Sequence, residues 1–156
     1  MNIIKTVINI LSKIITIIVI VYAITVVPVI FNYHPLVVLS GSMEPTYHVG
    51  SLIYYQEKEN YELGEAITFK YNNDLVTHRI VKVEDNNVIT QGDANSSPDL
   101  EPVSKSNIKG KVMLTIPYIG YYLKFINDNK YLVIIMLTII SIDILINSKK
   151  RVDNNV

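Results

Sequence analysis

Eighteen consecutive residues without a charge, Ile14 to Phe31 (IITIIVIVYAITVVPVIF), constrain this chain more than any other feature. As a helix the run extends roughly 27 Å at about 1.5 Å per residue. A hydrocarbon core is about 30 Å thick, and the apolar lead-in before Lys13 supplies the remainder. Pro28 sits near the outer end, where few ladder hydrogen bonds remain to be broken. No small-x-small cleavage site follows, and the run exceeds the about 7–15 apolar residues of a removable signal core. It reads as an uncleaved anchor. A second run, Tyr131 to Asn147, is 17 residues long and interrupted by Asp143. A carboxylate costs about 2.5–3.5 kcal/mol at the bilayer centre and less near an end. Asp143 lies four residues from the end of its run, which favours a second span over an amphipathic helix lying on the surface.

Charge orients the two spans. Lys5 and Lys13 precede the first, and Lys149, Lys150 and Arg151 follow the second, against Asp143 and Asp153. Flanking cations stay on the inner side, so both termini are expected to be cytoplasmic. The 99 residues from Asn32 to Lys130 carry 9 basic and 12 acidic groups, net −3, and face outward. The expected organisation is therefore residues 1–31 as cytoplasmic N-terminus and first transmembrane helix, 32–130 as an extracytoplasmic domain, 131–147 as a second transmembrane helix, and 148–156 as a cytoplasmic tail. Across the whole chain 14 Lys+Arg balance 14 Asp+Glu, so no basic excess points to nucleic acid. The absence of cysteine excludes disulfide frameworks, thiolate zinc sites and cysteine nucleophiles.

The outward segment reads as β. Alternation or β-branched enrichment marks Ser51–Gln56, Ala66–Tyr71, Leu75–Glu84, Asn87–Gln91 and Gly110–Ile116. Asn72-Asn73-Asp74 and Asp85-Asn86-Asn87 supply hairpin chemistry between them. Short consecutive strands without helical patterns predict a small antiparallel, mainly β domain.

Three polar features stand out within it. Ser40-Gly41-Ser42-Met43-Glu44-Pro45-Thr46 begins nine residues beyond the first span. Its glycine permits a sharp turn that can expose a hydroxyl beside backbone N–H groups. His78 lies in Val76-Thr77-His78-Arg79-Ile80, where strand parity sets it on one face with Val76 and Ile80. A half-buried imidazole with a serine partner suits general-base work near neutral pH. Gln91-Gly92-Asp93-Ala94-Asn95-Ser96-Ser97-Pro98-Asp99 ends a strand with two carboxylates six residues apart, and either can orient an imidazole as the acid of a Ser-His-Asp triad does. Each feature has a bland reading, as a solvated loop or a capped strand histidine. His34, beside Pro35, and His48, before Gly50, compete weakly for the base. A calcium loop expects closer carboxylates and a bidentate Glu. A zinc site from His78, Asp93 and Asp99 has one nitrogen ligand. No metal or other cofactor is expected.

Taken together, these three boxes, in this order after an N-terminal anchor, resemble type I signal peptidases. Ile116-Pro117-Tyr118-Ile119-Gly120 and the apolar tail are similar to the end of that family's catalytic region. Histidine at position 78, where ordinary bacterial and organelle members have lysine, resembles the endoplasmic-reticulum, archaeal and endospore-former branch. The resemblance implies Ser42 as nucleophile, His78 as base, Asp99 as the acid and Asp93 as a supporting hydrogen-bond partner. It further implies Ser40 and Met43 as oxyanion or substrate-binding positions. The implied substrates are signal-peptide-bearing precursors with Ala-like residues at the first and third positions before the cut. The implied setting is the cell membrane, beside a secretion translocon. Two alternatives stand beside this: a membrane-anchored β module that binds a partner without chemistry, and a Ser/Lys peptidase using Lys82, which shares strand parity with His78.

Overall fold

The computed structural model describes residues 3–153. Helix α1, Ile3–Ile30, carries the uncharged run, and its stretch Thr6–Ile30 is long and apolar enough to cross a bilayer. Two of its hydroxyls bond back to the helix backbone, Thr16 Oγ1 donating to the Ser12 carbonyl at 2.8 Å and Thr25 Oγ1 to the Tyr22 carbonyl at 2.6 Å. The helix stops just past Pro28, whose carbonyl accepts from Phe31 and Tyr33 N–H, with Asn32 in the left-handed conformation at φ 63°.

Seven strands follow: β1 His34–Val37, β2 Leu52–Gln56, β3 Ala66–Tyr71, β4 Asp74–Val83, β5 Asn87–Gln91, β6 Val103–Ser104 and β7 Ile108–Ile116. They form one sheet in the order β1-β2-β7-β3-β4-β5-β6, with every neighbouring pair antiparallel. The mainly β, antiparallel expectation is met. The hairpin between β3 and β4 closes on Asn72 and Asn73, the former at φ 53°, where asparagine tolerates a left-handed backbone. Register shifts at Tyr54/Tyr55, Thr68/Phe69 and Ile80/Lys82 mark bulges, which bend and twist the strands that carry them. Leu52, Ile53 and Tyr54 are successive residues on opposite faces of β2, and all three are buried, as are Ala66 to Phe69 on β3. These central strands are therefore covered on both sides. The core gathers Ile67, Phe69, Ile80, Val88, Val103 and Ile108, with Tyr61 and Val76 packed against it.

Strands β1 and β6 are not among the sequence expectations, for physical reasons. β1 reads His-Pro-Leu-Val, too short for a period, and its proline is tolerated because the strand lies at the sheet edge. β6 has two residues and no pattern at all. Helix α2, Ile119–Asp128, is likewise unanticipated. It begins against Gly50, whose carbonyl accepts from Gly120 N–H at 2.9 Å. Gly50 has φ +82°, and any Cβ there would lie inside the Tyr121 ring. Tyr118, Tyr121 and Phe125 are exposed.

Helix α3, Lys130–Asp153, contains Tyr131–Asn147 and continues beyond it. Its stretch Tyr131–Ile146 reaches the length and apolarity of a span only when counted together with α2. The last three residues of the tail expected at 148–156 lie outside the described residues.

Candidate active site

Ser42 sits in a single 3-10 turn, Gly41–Met43, entered through extended Ser40 and left through extended Glu44. Met43 anchors this turn, being only 2% exposed. The Glu44 carboxylate braces the descending loop, accepting from Val49 N–H at 3.1 Å and meeting His48 Nδ1 at 2.5 Å. His48 is thus occupied within its own loop, and its ring stacks on Tyr118. His34 stacks on Tyr55 at the sheet edge. Both imidazoles thus have partners away from Ser42.

His78 meets Ser42 directly. Parity on β4 turns it inward between Val76 and Ile80, where it is 9% exposed and meets the Phe69 ring edge-on. Its Nε2 lies 3.1 Å from Ser42 Oγ, and its Nδ1 lies 2.7 Å from Asp99 Oδ2. An ionised carboxylate only accepts, so Nδ1 carries the proton and Nε2 is left to accept from the Ser42 hydroxyl. Asp99 reaches this position because the loop after β5 doubles back. Asp99 N–H donates to the Thr90 carbonyl at 2.8 Å, and Thr90 Oγ1 donates to Asp99 Oδ2 at 2.6 Å.

The same loop locks the serine turn. Ala94 N–H donates to the Ser42 carbonyl at 2.9 Å. Gly92 makes the approach possible, since a Cβ there would lie 2.5 Å from that carbonyl oxygen. Ser40 Oγ stands 3.4 Å from Ser42 Oγ.

Asp93 faces elsewhere. Arg79 Nε and Nη2 donate to its two oxygens at 2.8 and 2.6 Å, and Thr46 Oγ1 donates to Oδ2 at 2.5 Å. Arg79 Nη1 also donates to the Gly64 carbonyl at 2.8 Å. The Arg79 hydrogen bonds hold the Asp93 carboxyl below its ordinary pKa, outweighing partial burial, with Thr46 adding to them. The same bonds raise the already high Arg79 pKa. This clamp ties β4, the loop after β5 and the loop after Ser42 together.

The structure thus unites Ser42, His78 and Asp99, sets Ser40 beside them and Met43 beneath, and gives Asp93 to Arg79. Lys82, despite its parity, is exposed beyond the β4 bulge and pairs with Glu84 at 2.9 Å. Arg79, Thr46 and Thr90 went unassigned from sequence. The available signal for Thr90 was a hydroxyl at the buried parity of Asn87–Gln91, two residues before Gly92.

A serine hydroxyl, an imidazole and a carboxylate in hydrogen-bonding order on an antiparallel β domain define a site of the serine-hydrolase class. Residues 11–94 match the family model described as signal peptidase, peptidase S26. That is more than half of the chain, and the protein belongs to this family. It is similar to signal peptidase I W of Bacillus subtilis, 37% identical over 123 residues, covering 69% of this chain and 65% of that relative. The signal peptidase complex catalytic subunit SEC11 of Candida tropicalis is 29% identical over 138 residues, covering 78% of this chain and 83% of the relative. The subunit of the same name from Fusarium vanettenii is 30% identical over 122 residues, with 68% and 71% covered. The match therefore spans just under two thirds of the Bacillus relative's length and more of the fungal ones. The family expectation drawn from the three sequence boxes is met.

Proposed function

We propose that this protein is a membrane-anchored serine endopeptidase that removes signal peptides from exported precursors through an acyl-enzyme. One observation carries the reading: the unbroken chain Ser42 Oγ, His78 Nε2, His78 Nδ1, Asp99 Oδ2, at 3.1 and 2.7 Å, from residues 36 and 21 positions apart. Ser42 Oγ attacks the carbonyl carbon at the end of the signal peptide while Nε2 takes its proton. The protonated imidazole then gives that proton to the leaving amine, and an ester to Ser42 remains. Water, deprotonated by the same Nε2, attacks the ester and frees the serine. Asp99 holds the imidazole in the required tautomer and stabilises it when charged.

The oxyanion is stabilised by Ser42 N–H with help from the Ser40 hydroxyl. One such donor is commonly worth about 10²–10³ in rate. The Met43 side chain is buried, so Met43 serves the substrate through its backbone and by anchoring the turn. The precursor adds a strand beside the segment leading to Ser42, where β1 offers an unpaired sheet edge. Small residues such as alanine occupy the first and third positions before the cut.

The anchor has a physical purpose. A precursor's apolar core lies in the bilayer, so an enzyme tethered by α1, and by α3 as a second span, meets the cleavage site at raised effective concentration. The proposed setting is the cell membrane, with the catalytic domain outside, both termini cytoplasmic, and a secretion translocon nearby. Exposed Tyr118, Tyr121 and Phe125 suit the polar interface of a membrane. The full chain in phospholipid vesicles is expected to cut a signal-bearing precursor, and Ser42→Ala to leave it intact while remaining membrane-bound. Equal processing by both proteins would refute the nucleophile, and no processing by either would favour a non-catalytic binding module.

A further inference from the structure

Thr90 is fully buried on β5, so its hydroxyl must find its partner within the protein. It lies on β5 at the same parity as Val88, and both residues are 0% exposed. A buried hydroxyl without a partner destabilises the fold, so its partner is informative. That partner is Asp99 Oδ2 at 2.6 Å, the same oxygen that meets His78 Nδ1. The Thr90 carbonyl also accepts from Asp99 N–H at 2.8 Å. One residue on a rigid strand thus holds the aspartate at its amide and at its carboxylate.

The aspartate needs holding. Its side chain is 25% exposed, and it follows a loop whose residues 94–98 are all exposed. Beside it opens a cavity of about 710 Å³, walled by His78, Asp99, Phe69, Tyr71 and Val76. A carboxylate released there finds water and other rotamers, and the imidazole loses its counter-charge.

We propose that Thr90 is a positioning residue of the active site, its Oγ1–H fixing Asp99 Oδ2 on His78 Nδ1 instead of in the adjoining cavity. The proposal rests on the peptidase reading above. The charged groups around His78 are Asp99 and Asp93 from the loop after β5, Arg79 next to it on β4, and Glu101 on the cavity wall. β3 presents Phe69 and the 3-10 turn presents Ser42, neither of them charged. Of these charged groups, Asp99 is the one that hydrogen-bonds the ring, at 2.7 Å.

The test uses the full chain in phospholipid vesicles and a synthetic precursor peptide with alanine at the first and third positions before the cut. Cleavage by the wild type and none by Ser42→Ala establishes the parent reading separately. No cleavage by the wild type overturns that reading and this proposal with it. Thr90→Val keeps the shape and removes the donor. Its kcat is expected to fall about 10- to 100-fold with KM within about twofold, the loss of one hydrogen bond to a charged group. Thr90→Ser, which keeps the donor, restores kcat to within about threefold of wild type. Wild-type kcat in Thr90→Val, a loss that falls on KM instead of kcat, or a Thr90→Ser as slow as Thr90→Val would overturn the proposal. So would loss of the protease-resistant β domain in both Thr90→Val and Thr90→Ala, which would assign Thr90 to packing alone.

Discussion

Asp93→Asn isolates the clamp that holds the Ser42 turn to the strand carrying His78. The substitution keeps the shape and one acceptor but removes the charge that receives Arg79 Nε and Nη2 at 2.8 and 2.6 Å and Thr46 Oγ1 at 2.5 Å. Breaking a fully buried ion pair costs about 3–5 kcal/mol, and an exposed pair is worth about 0–1 kcal/mol. The Asp93 side chain is 14% exposed and that of Arg79 33%, so the pair lies between these limits. A loss of about 2–3 kcal/mol follows, and at about 4–8 °C per kcal/mol for a domain of this size Tm falls by about 10–20 °C. The pH dependence is specific. Folding lowers the Asp93 pKa, through the Arg79 hydrogen bonds first, so the folded state binds fewer protons than the unfolded one. The stabilisation is complete above the ordinary aspartate pKa near 4 and is lost as pH falls through the lower folded value. The difference in Tm between wild type and Asp93→Asn is therefore widest at neutral pH and closes in acid. Circular dichroism melts of the full chain in detergent, from about pH 7 to about pH 3, read it directly. A neutral-pH difference under about 2 °C, or one that stays constant into acid, refutes the reasoning.

Two further outcomes test the site. His78→Ala is expected to abolish precursor cleavage and Lys82→Ala to leave it within about twofold of wild type, since Lys82 pairs with Glu84 in solvent; the reverse pattern in initial cleavage rates would restore the lysine base. Gly92→Ala forces a Cβ to 2.5 Å from the Ser42 carbonyl and 2.8 Å from Asn95 Nδ2. With little room to yield, the serine turn shifts, and kcat/KM is expected to drop by more than about tenfold, as a displacement near 1 Å commonly does; wild-type kinetics would show that the loop has slack.

Much of the architecture was legible because its signals are local. The uncharged run spells out α1, and period-two alternation delimits five of the seven strands to within about two residues. β1 and β6 escaped because they hold four and two residues, and their strand character comes from partners across the sheet. α2 escaped because it begins against Gly50, seventy residues earlier in the chain. For the site, hydroxyl, imidazole and carboxylate were each visible as residue types with bland alternatives, and only the family resemblance assigned their roles. The division between the two aspartates was less accessible. Asp93 and Asp99 offer the same chemistry in one loop, and what separates them is which of two neighbouring β4 residues each one meets.

That separation follows from strand geometry. His78 and Arg79 are consecutive, so their side chains must leave β4 on opposite faces. A single carboxylate cannot serve both. Two are needed, with enough chain between them to pass from one side of the strand to the other. The six residues from Asp93 to Asp99 can extend up to about 20 Å, ample for the passage. The loop leaves β5 at Gly92, delivers Asp93 to Arg79 and Thr46, bonds the Ser42 carbonyl through Ala94, and returns Asp99 to Thr90 and His78. One short segment thereby holds the Ser42 turn, the strand carrying His78, and Asp99 in register. The Arg79 pairing belongs to that geometry as much as the imidazole does: Arg79 and Thr46 fix the first carboxylate on one face while Thr90 fixes the second on the other.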